Sequence, residues 1–132
     1  MNPNQKDYIN LGNLDVYKLA LDLSIKCWDF YKHFDWETRK IEGTQFIRSI
    51  DSIGANIAEG YGRFHYLDRI RFYYNSRGSL LESKHWVFLL YKREKISKIE
   101  YDDIISKLNN LHVALNVFIG SCYQSKNNIS IS

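Results

Sequence analysis

A single proline, Pro3, occurs in this chain of 132 residues, and it lies before the first periodic segment. Because proline is the residue that most strongly breaks a helix, nothing rigidly interrupts the chain from Leu14 to Tyr123. Apolar residues recur there at steps of three and four, which is the spacing of one face of an α-helix. No apolar run approaches the roughly 20 residues of a membrane span. The sequence therefore predicts long amphipathic helices and no membrane partner.

Capping and stop signals divide this stretch into segments. Asp35 is a plausible N-cap of the second segment. Gly60 and Gly62 are expected to end that segment, because glycine readily takes the left-handed conformation that follows a helix. Ser97 and Glu100 form a capping box, in which each side chain satisfies a free backbone amide, at the start of the fourth segment.

Four segments result. The first begins after Asn13, a possible N-cap, and the third, from about 66 to 93, is the most apolar. The fourth has a sustained seven-residue repeat that is typical of bundle packing, formed by Tyr101, Ile104, Leu108, Leu111, Leu115, Phe118 and Cys122. Short connections between four helices predict an all-α fold, an antiparallel up-down four-helix bundle over 13–123. Flexible segments are predicted at 1–12 and 124–132.

Apolar residues outside the expected core stripes indicate self-association. The expected stripe of the third segment consists of Ile70, Tyr73, Tyr74, Leu80, Leu81, Val87, Phe88 and Tyr91. Outside the stripes of the first three segments lie Trp28, Tyr31, Trp36, Ile47, Trp86 and Leu90. Large exposed apolar patches are uncommon on monomers, so we expect these residues to meet a second copy of the chain. The pattern does not give the number of copies.

The segment from Arg48 to Arg63 mixes polar side chains with small and β-branched ones, which suits close contact between helices. In a hairpin that turns near Arg63, Arg48 faces the residues from 77 to 82. Buried charges must be paired, and arginine suits paired contacts with a carboxylate. We therefore predict a structural polar seam made of Arg48, Asn56, Glu59, Arg77 and Glu82. The alternative is that these residues face solvent.

Positive charge is concentrated in one part of the chain. Residues 63–95 contain eight Lys or Arg against three acids, whereas the rest contains ten against twelve. Basic groups interleaved with aromatic rings can hold single-stranded nucleic acid by charge and stacking. The candidate contacts with RNA or DNA are Arg63, Arg69, Arg71, Lys92, Arg93 and Lys95. The alternative is that the rings belong to the core or a subunit interface and the charges face solvent.

No residues point to a catalytic, cofactor or metal site. Asp102 and Asp103 are adjacent, and neighbours on a helix point about 100° apart, so the helix dipole explains these first-turn acids better than a shared site does. The scattered histidines lack the Glu-x-x-His pattern of di-metal bundles: His33, His65, His85 and His112. Cys27 and Cys122 suit free thiols in the cytoplasm, and whether they are close in space is left open.

Three stretches, 14–20, 48–63 and 77–82, resemble one bacterial family. It is the family of four-helix-bundle proteins encoded in intervening sequences of 23S ribosomal RNA genes, and the resemblance covers about 14 to 123. The resemblance implies a ring-like pentamer without a catalytic site. It also implies likeness in fold to the accessory variability determinant of diversity-generating retroelements, a basic pentamer that works with a reverse transcriptase and binds nucleic acid.

Two functions are therefore expected. The first is a non-enzymatic homo-oligomer, a pentamer by the resemblance, that binds RNA or DNA or acts as an accessory to a reverse transcriptase. The alternative is a purely structural or protein-interaction bundle that binds no nucleic acid. The two differ in their response to salt, because phosphate contacts make affinity fall as the salt concentration rises.

Overall fold

The computed structural model describes residues 11–12 and 14–131, and side chains up to residue 124. Its four bundle helices are α1 (Asp15–His33), α2 (Thr44–Tyr61), α3 (Tyr66–Lys92) and α4 (Lys98–Ile131). Helix α2 packs on α1 and α3, and α4 closes the square by packing on α3 and α1. The described residues form no strand. The predicted antiparallel up-down four-helix bundle is confirmed.

The predicted caps are present where their residues are described. The Asp35 carboxylate accepts a hydrogen bond from the Thr38 backbone amide at 2.8 Å. This bond also lowers the pKa of Asp35. The Ser97 amide donates to Glu100 at 2.8 Å, and the Glu100 amide donates to the Ser97 hydroxyl at 3.1 Å. Asn13 lies outside the described residues.

The ends of the chain are only partly described. The predicted flexible segment at 1–12 lies almost entirely outside the described residues. At the other end α4 continues to Ile131, past the point where the tail 124–132 was predicted to begin. The tail contains neither proline nor glycine, so nothing in its sequence forces the helix to stop.

Gly60 has a different role from the predicted one. Helix α2 continues through it to Tyr61, and Gly62 has a right-handed φ of −79°. A Cβ atom on Gly60 would lie 2.8 Å from the Tyr73 ring and 2.9 Å from Phe72 Cβ. Gly60 is therefore needed because α2 and α3 approach closely there, and the predicted left-handed stop is wrong.

The core stripe of α3 also differs from the predicted one. Its buried residues are Ile70, Tyr73, Ser76, Leu80, Ser83, Val87 and Leu90, again at steps of three and four. Two serines hold stripe positions, and the larger residues Tyr74, Leu81 and Phe88 are left 38%, 51% and 45% exposed. Leu90, like Ile47 on α2, belongs to the core, which corrects their assignment to a subunit contact.

The polar contact between α2 and α3 is made by serines. Three hydrogen bonds cross it, from Ser76 to the Ile53 carbonyl at 2.8 Å, from Ser79 to Ser52 at 3.0 Å and from Ser83 to Ser49 at 3.0 Å. Small hydroxyl side chains let two helices come close while satisfying their own polar groups. This serine seam replaces the predicted one.

The predicted seam of Arg48, Asn56, Glu59, Arg77 and Glu82 is not formed within the chain. Arg48, Glu59 and Glu82 are exposed, and Glu59 pairs with Arg63 at 2.6 Å on its own side of the turn. Asn56 donates to the Ser52 carbonyl, and Arg77 turns away from α2 to Asn116 on α4. Because Ser49 bonds to Ser83, Arg48 lies level with the residues just after Ser83, slightly beyond the predicted 77–82. The predicted helix faces of these residues were also wrong.

Cys27 is buried, Cys122 is half-buried, and both are free thiols. Burial raises the pKa of the Cys27 thiol to about 12. In the part of the chain that the structure describes, every helix is too short or too polar to span a membrane.

Candidate nucleic-acid interface

The first predicted cluster of basic residues lies at the turn between α2 and α3. Arg63 pairs with Glu59 at 2.6 Å, and Arg71 lies 3.7 Å from the Asp68 carboxylate. The Nε group of Arg69 donates to the Arg63 carbonyl at 2.6 Å. Arg63 and Arg71 thus have acidic partners, which lower the net charge that this cluster presents to a ligand, whereas the carbonyl bound by Arg69 leaves its charge in place.

Aromatic rings accompany this first cluster. The guanidinium groups of Arg63 and Arg71 lie 4.8 and 5.2 Å from the centre of the Phe72 ring. Phe64 is 90% exposed and contacts His65 edge to face. An exposed ring beside cations is a surface on which a base could stack.

The second predicted cluster lies at the other end of α3. Arg93 is 3.7 Å from Glu42, a carboxylate that is buried in the π-helical turn Arg39–Gly43. Lys95 lines a surface cavity of about 430 Å³ together with the acidic residues Asp29 and Glu100. Because α3 has 27 residues, its length of about 40 Å separates the two clusters.

Between these ends, the side of α3 that faces α4 alternates cations with large apolar residues. We call this set the α3 stripe: Tyr74, Arg77, Leu81, Lys84, Phe88 and Lys92. Contacts with α4 fix its position, because Tyr74 bonds to Tyr123, Arg77 to Asn116 and Lys84 to His112. The α3 stripe therefore runs along the groove between α3 and α4 and connects the two ends of the bundle.

Two cations of the α3 stripe lie over its aromatic rings. The Arg77 guanidinium is 4.7 Å from the centre of the Tyr74 ring, and the Lys92 ammonium is 5.5 Å from that of Phe88. No carboxylate of the described residues forms an ion pair with Arg77, Lys84 or Lys92. The α3 stripe, which shares Lys92 with the second cluster, thus carries three cations that form no described ion pair.

His112 is also affected by the positive charge of the α3 stripe. Its pKa is lowered by burial and by the neighbouring cations Lys84 and Arg77. Sequence reasoning assigned Arg77 to a seam and did not identify Lys84, His112 or the rings of Tyr74 and Phe88 as site residues. The available signal was the spacing of 74, 77, 81, 84, 88 and 92, which places cations and rings on one helix face.

An apolar face lies on the opposite side of the bundle. On α1, which is diagonal to α3 in the square of helices, Leu21, Ile25 and Trp28 are 45%, 60% and 49% exposed. We call these three residues the α1 face. Trp36 is also exposed. Tyr31 and Trp86 are half-buried and pack against the core, so they do not belong to this exposed surface.

The described residues bring together no group of side chains that could hold a metal ion. No three His, Cys, Asp or Glu side chains gather there around one point. Asp102 pairs with Lys98, and Asp103 with Lys26 and Lys107. The two acids therefore serve separate surface ion pairs, as their adjacent positions on a helix require.

The sequence matches the family model described as 23S rRNA-intervening sequence protein over residues 12–117. The fold is similar to that of a protein with unknown function from the S23 ribosomal protein family of Bacteroides thetaiotaomicron, in a crystal structure. The two share 25% sequence identity, with a TM-score of 0.75, over 87% of this chain and 98% of that chain. No curated protein matches the sequence.

Proposed function

Since the chain belongs to the 23S rRNA-intervening sequence protein family, whose description names no ligand, we propose a function from its own surface. The protein is a non-enzymatic, homo-oligomeric helical bundle that binds single-stranded nucleic acid along the α3 stripe. The family confirms the resemblance seen in the sequence. A pentamer and a reverse transcriptase as partner remain predictions from that resemblance, as does the cytoplasmic location that free thiols suit.

One observation carries the proposal of nucleic-acid binding. Arg77, Lys84 and Lys92 have no described carboxylate partner, and they alternate with rings that are 38% and 45% exposed, Tyr74 and Phe88. Phosphates along a single strand can contact such cations while unpaired bases stack on the rings. A duplex keeps its bases stacked on one another, so it would contact the cations of the stripe but not the aromatic rings.

The oligomer rests on the α1 face, because three large apolar side chains exposed together on one helix are uncommon on a monomer. This face lies on the opposite corner of the bundle from α3, so a contact made there leaves the α3 stripe free to bind nucleic acid. Repetition of a weak nucleic-acid site around a ring raises the effective concentration of sites for one strand. Light scattering at micromolar concentration tests self-association, and a monomer would contradict it.

A salt titration tests the binding function directly. We expect labelled single-stranded RNA to bind with an affinity that falls as salt rises, with a slope of about −0.7 per phosphate contacted. Duplex DNA of equal length is expected to bind more weakly at each salt concentration, because its bases cannot stack on the protein. Absence of binding at low salt would reject the proposal.

The alternative function, a structural or protein-interaction bundle, is favoured by a different observation. Leu81 and Phe88 are about half exposed within the α3 stripe, and they could pack against another protein chain. In that case Leu81→Ser with Phe88→Ser would abolish oligomers, and neither the wild type nor the variant would bind RNA. Loss of RNA binding in a variant that keeps the oligomer supports the first function instead.

A further inference from the structure

The middle of the α3 stripe holds a cluster of polar groups from two helices. The Lys84 ammonium lies 3.0 Å from Nδ1 of His112. Nearer the N-terminal end of α3, the Arg77 guanidinium donates to the Asn116 side-chain oxygen at 3.1 Å. His112 and Asn116 are one turn apart on α4, and Arg77, Lys84 and His112 are all half-buried. The cluster therefore lies in the groove between α3 and α4 and is partly open to solvent, and we call it the groove cluster.

The contact with Lys84 fixes the protonation state of His112. An ammonium group can only donate hydrogen bonds, so Nδ1 of His112 must be the acceptor. The imidazole is then neutral and carries its proton on Nε2. A second proton on Nδ1 would place two cations 3.0 Å apart, and that arrangement needs an anion between or beside them.

No acid faces the groove cluster in the described residues. The charged groups that act on His112 from α3 are Lys84 and Arg77, and both lower its pKa. The other helix packed against α4 is α1, and its Lys26 pairs with Asp103, two turns and more away along α4. The groove cluster thus supplies an arginine, a lysine and a titratable histidine without a neutralising carboxylate.

We propose that Arg77, Lys84 and His112 form a binding site for a phosphate group, and that occupancy of this site takes up one proton on His112. The inference rests on the proposed function, because the backbone of a nucleic acid is one source of phosphate. A free phosphorylated small molecule is the other source. An oxyanion can accept hydrogen bonds from all three side chains once Nδ1 of His112 carries a proton.

Proton uptake couples binding to pH in a definite direction. A bound oxyanion favours the charged imidazolium and raises the pKa of His112 from its lowered value. Affinity therefore rises as pH falls through the window between the raised pKa of the bound state and the lowered pKa of the free state. The change is at most tenfold per pH unit, because one proton is involved.

An NMR titration of the histidine rings in the full chain tests the site. Sulfate is the probe, since its charge stays constant over the titration, and chloride at equal ionic strength is the control. We expect the pKa of His112 to be higher in sulfate than in chloride. An equal pKa for His112 in both salts would overturn the proposal.

A second arm uses a short oligothymidylate, with wild type and His112→Gln compared at two pH values inside the window. Wild type is expected to bind more tightly at the lower pH, and the variant is expected to lose that difference. Binding that is equally insensitive to pH in both proteins rejects proton uptake but leaves the proposed function intact. A response to sulfate without any oligothymidylate binding supports the phosphate site and rejects the proposed function.

Discussion

The Ser83 hydroxyl donates a hydrogen bond to the Ser49 hydroxyl at 3.0 Å, across the contact between α3 and α2. Ser49 in turn donates to the Phe46 carbonyl at 2.9 Å, so the polar groups of both serines are satisfied in a buried place. These two side chains set the distance between the helices. A larger residue at either position would have to push them apart.

Enlarging Ser83 should therefore destabilise the bundle. We expect Ser83→Leu to cost about 1–3 kcal/mol of unfolding free energy, because it overpacks the close contact with Ser49. Ser106→Leu, on the exposed face of α4, is the control and should stay within about 0.5 kcal/mol. Urea denaturation gives both values, and equal costs would contradict the serine seam.

Two glycine-to-alanine substitutions should change the stability of the bundle in opposite directions. Gly60→Ala should destabilise, because the new Cβ would lie 2.8 Å from the Tyr73 ring and 2.9 Å from Phe72. Gly78 is exposed within α3 with open space around it, so Gly78→Ala should stabilise by up to about 1 kcal/mol through helix propensity. Thermal melting of the two variants measures the difference. A more stable Gly60→Ala variant would show that α2 and α3 are not in close contact.

Arg93 should matter more for stability than Arg48 does. Arg93 lies 3.7 Å from Glu42, whose side chain is only 2% exposed, whereas Arg48 is exposed and has no described ion pair. Arg93 is itself 48% exposed, so solvent screens the pair, and Arg93→Ala is expected to cost about 1 kcal/mol. Arg48→Ala should change stability by less than about 0.5 kcal/mol. Chemical denaturation of both variants is the measurement, and the reverse order would restore the seam predicted from the sequence.

The stability of the bundle should depend on pH through Asp103. Hydrogen bonds from Lys107 and Lys26 lower the pKa of its carboxyl. The stabilising contribution is complete above the ordinary pKa of an aspartate and is lost as pH falls through the lowered value. Melting temperatures of wild type and Asp103→Asn should therefore differ at neutral pH and converge in acid. A difference that stays constant down to the lowest pH would contradict this role.

Local sequence signals predicted the starts of helices well and their C-terminal ends less well. Asp35, Ser97 and Glu100 act through hydrogen bonds to residues three positions away, so the fold around them hardly matters. The seven-residue repeat of α4 predicted its buried positions equally well, since Leu108, Leu111 and Leu115 are all buried. Periodicity and capping are properties of one segment, and they carry over into the structure.

The helix face on which each residue of α2 and α3 lies was less predictable. Serines hold core positions on α3 that a hydrophobic pattern assigns to Tyr74 and Leu81, because close packing of two helices favours small side chains over apolar ones. That displacement moves Tyr74 to the surface beside Arg77 and creates the α3 stripe. The site thus depends on a tertiary contact that no single segment reveals.

The central claim is that the α3 stripe binds single-stranded nucleic acid, and a charge reversal tests it most directly. The variant Arg77→Glu with Lys84→Glu is compared with Lys18→Glu and Arg48→Glu, an equal charge change at exposed residues outside the stripe. Fluorescence anisotropy with labelled single-stranded RNA at fixed salt measures both affinities. We expect the stripe variant to bind at least tenfold more weakly than the control variant. Equal losses of affinity in the two variants would show that only net charge matters and would contradict the claim.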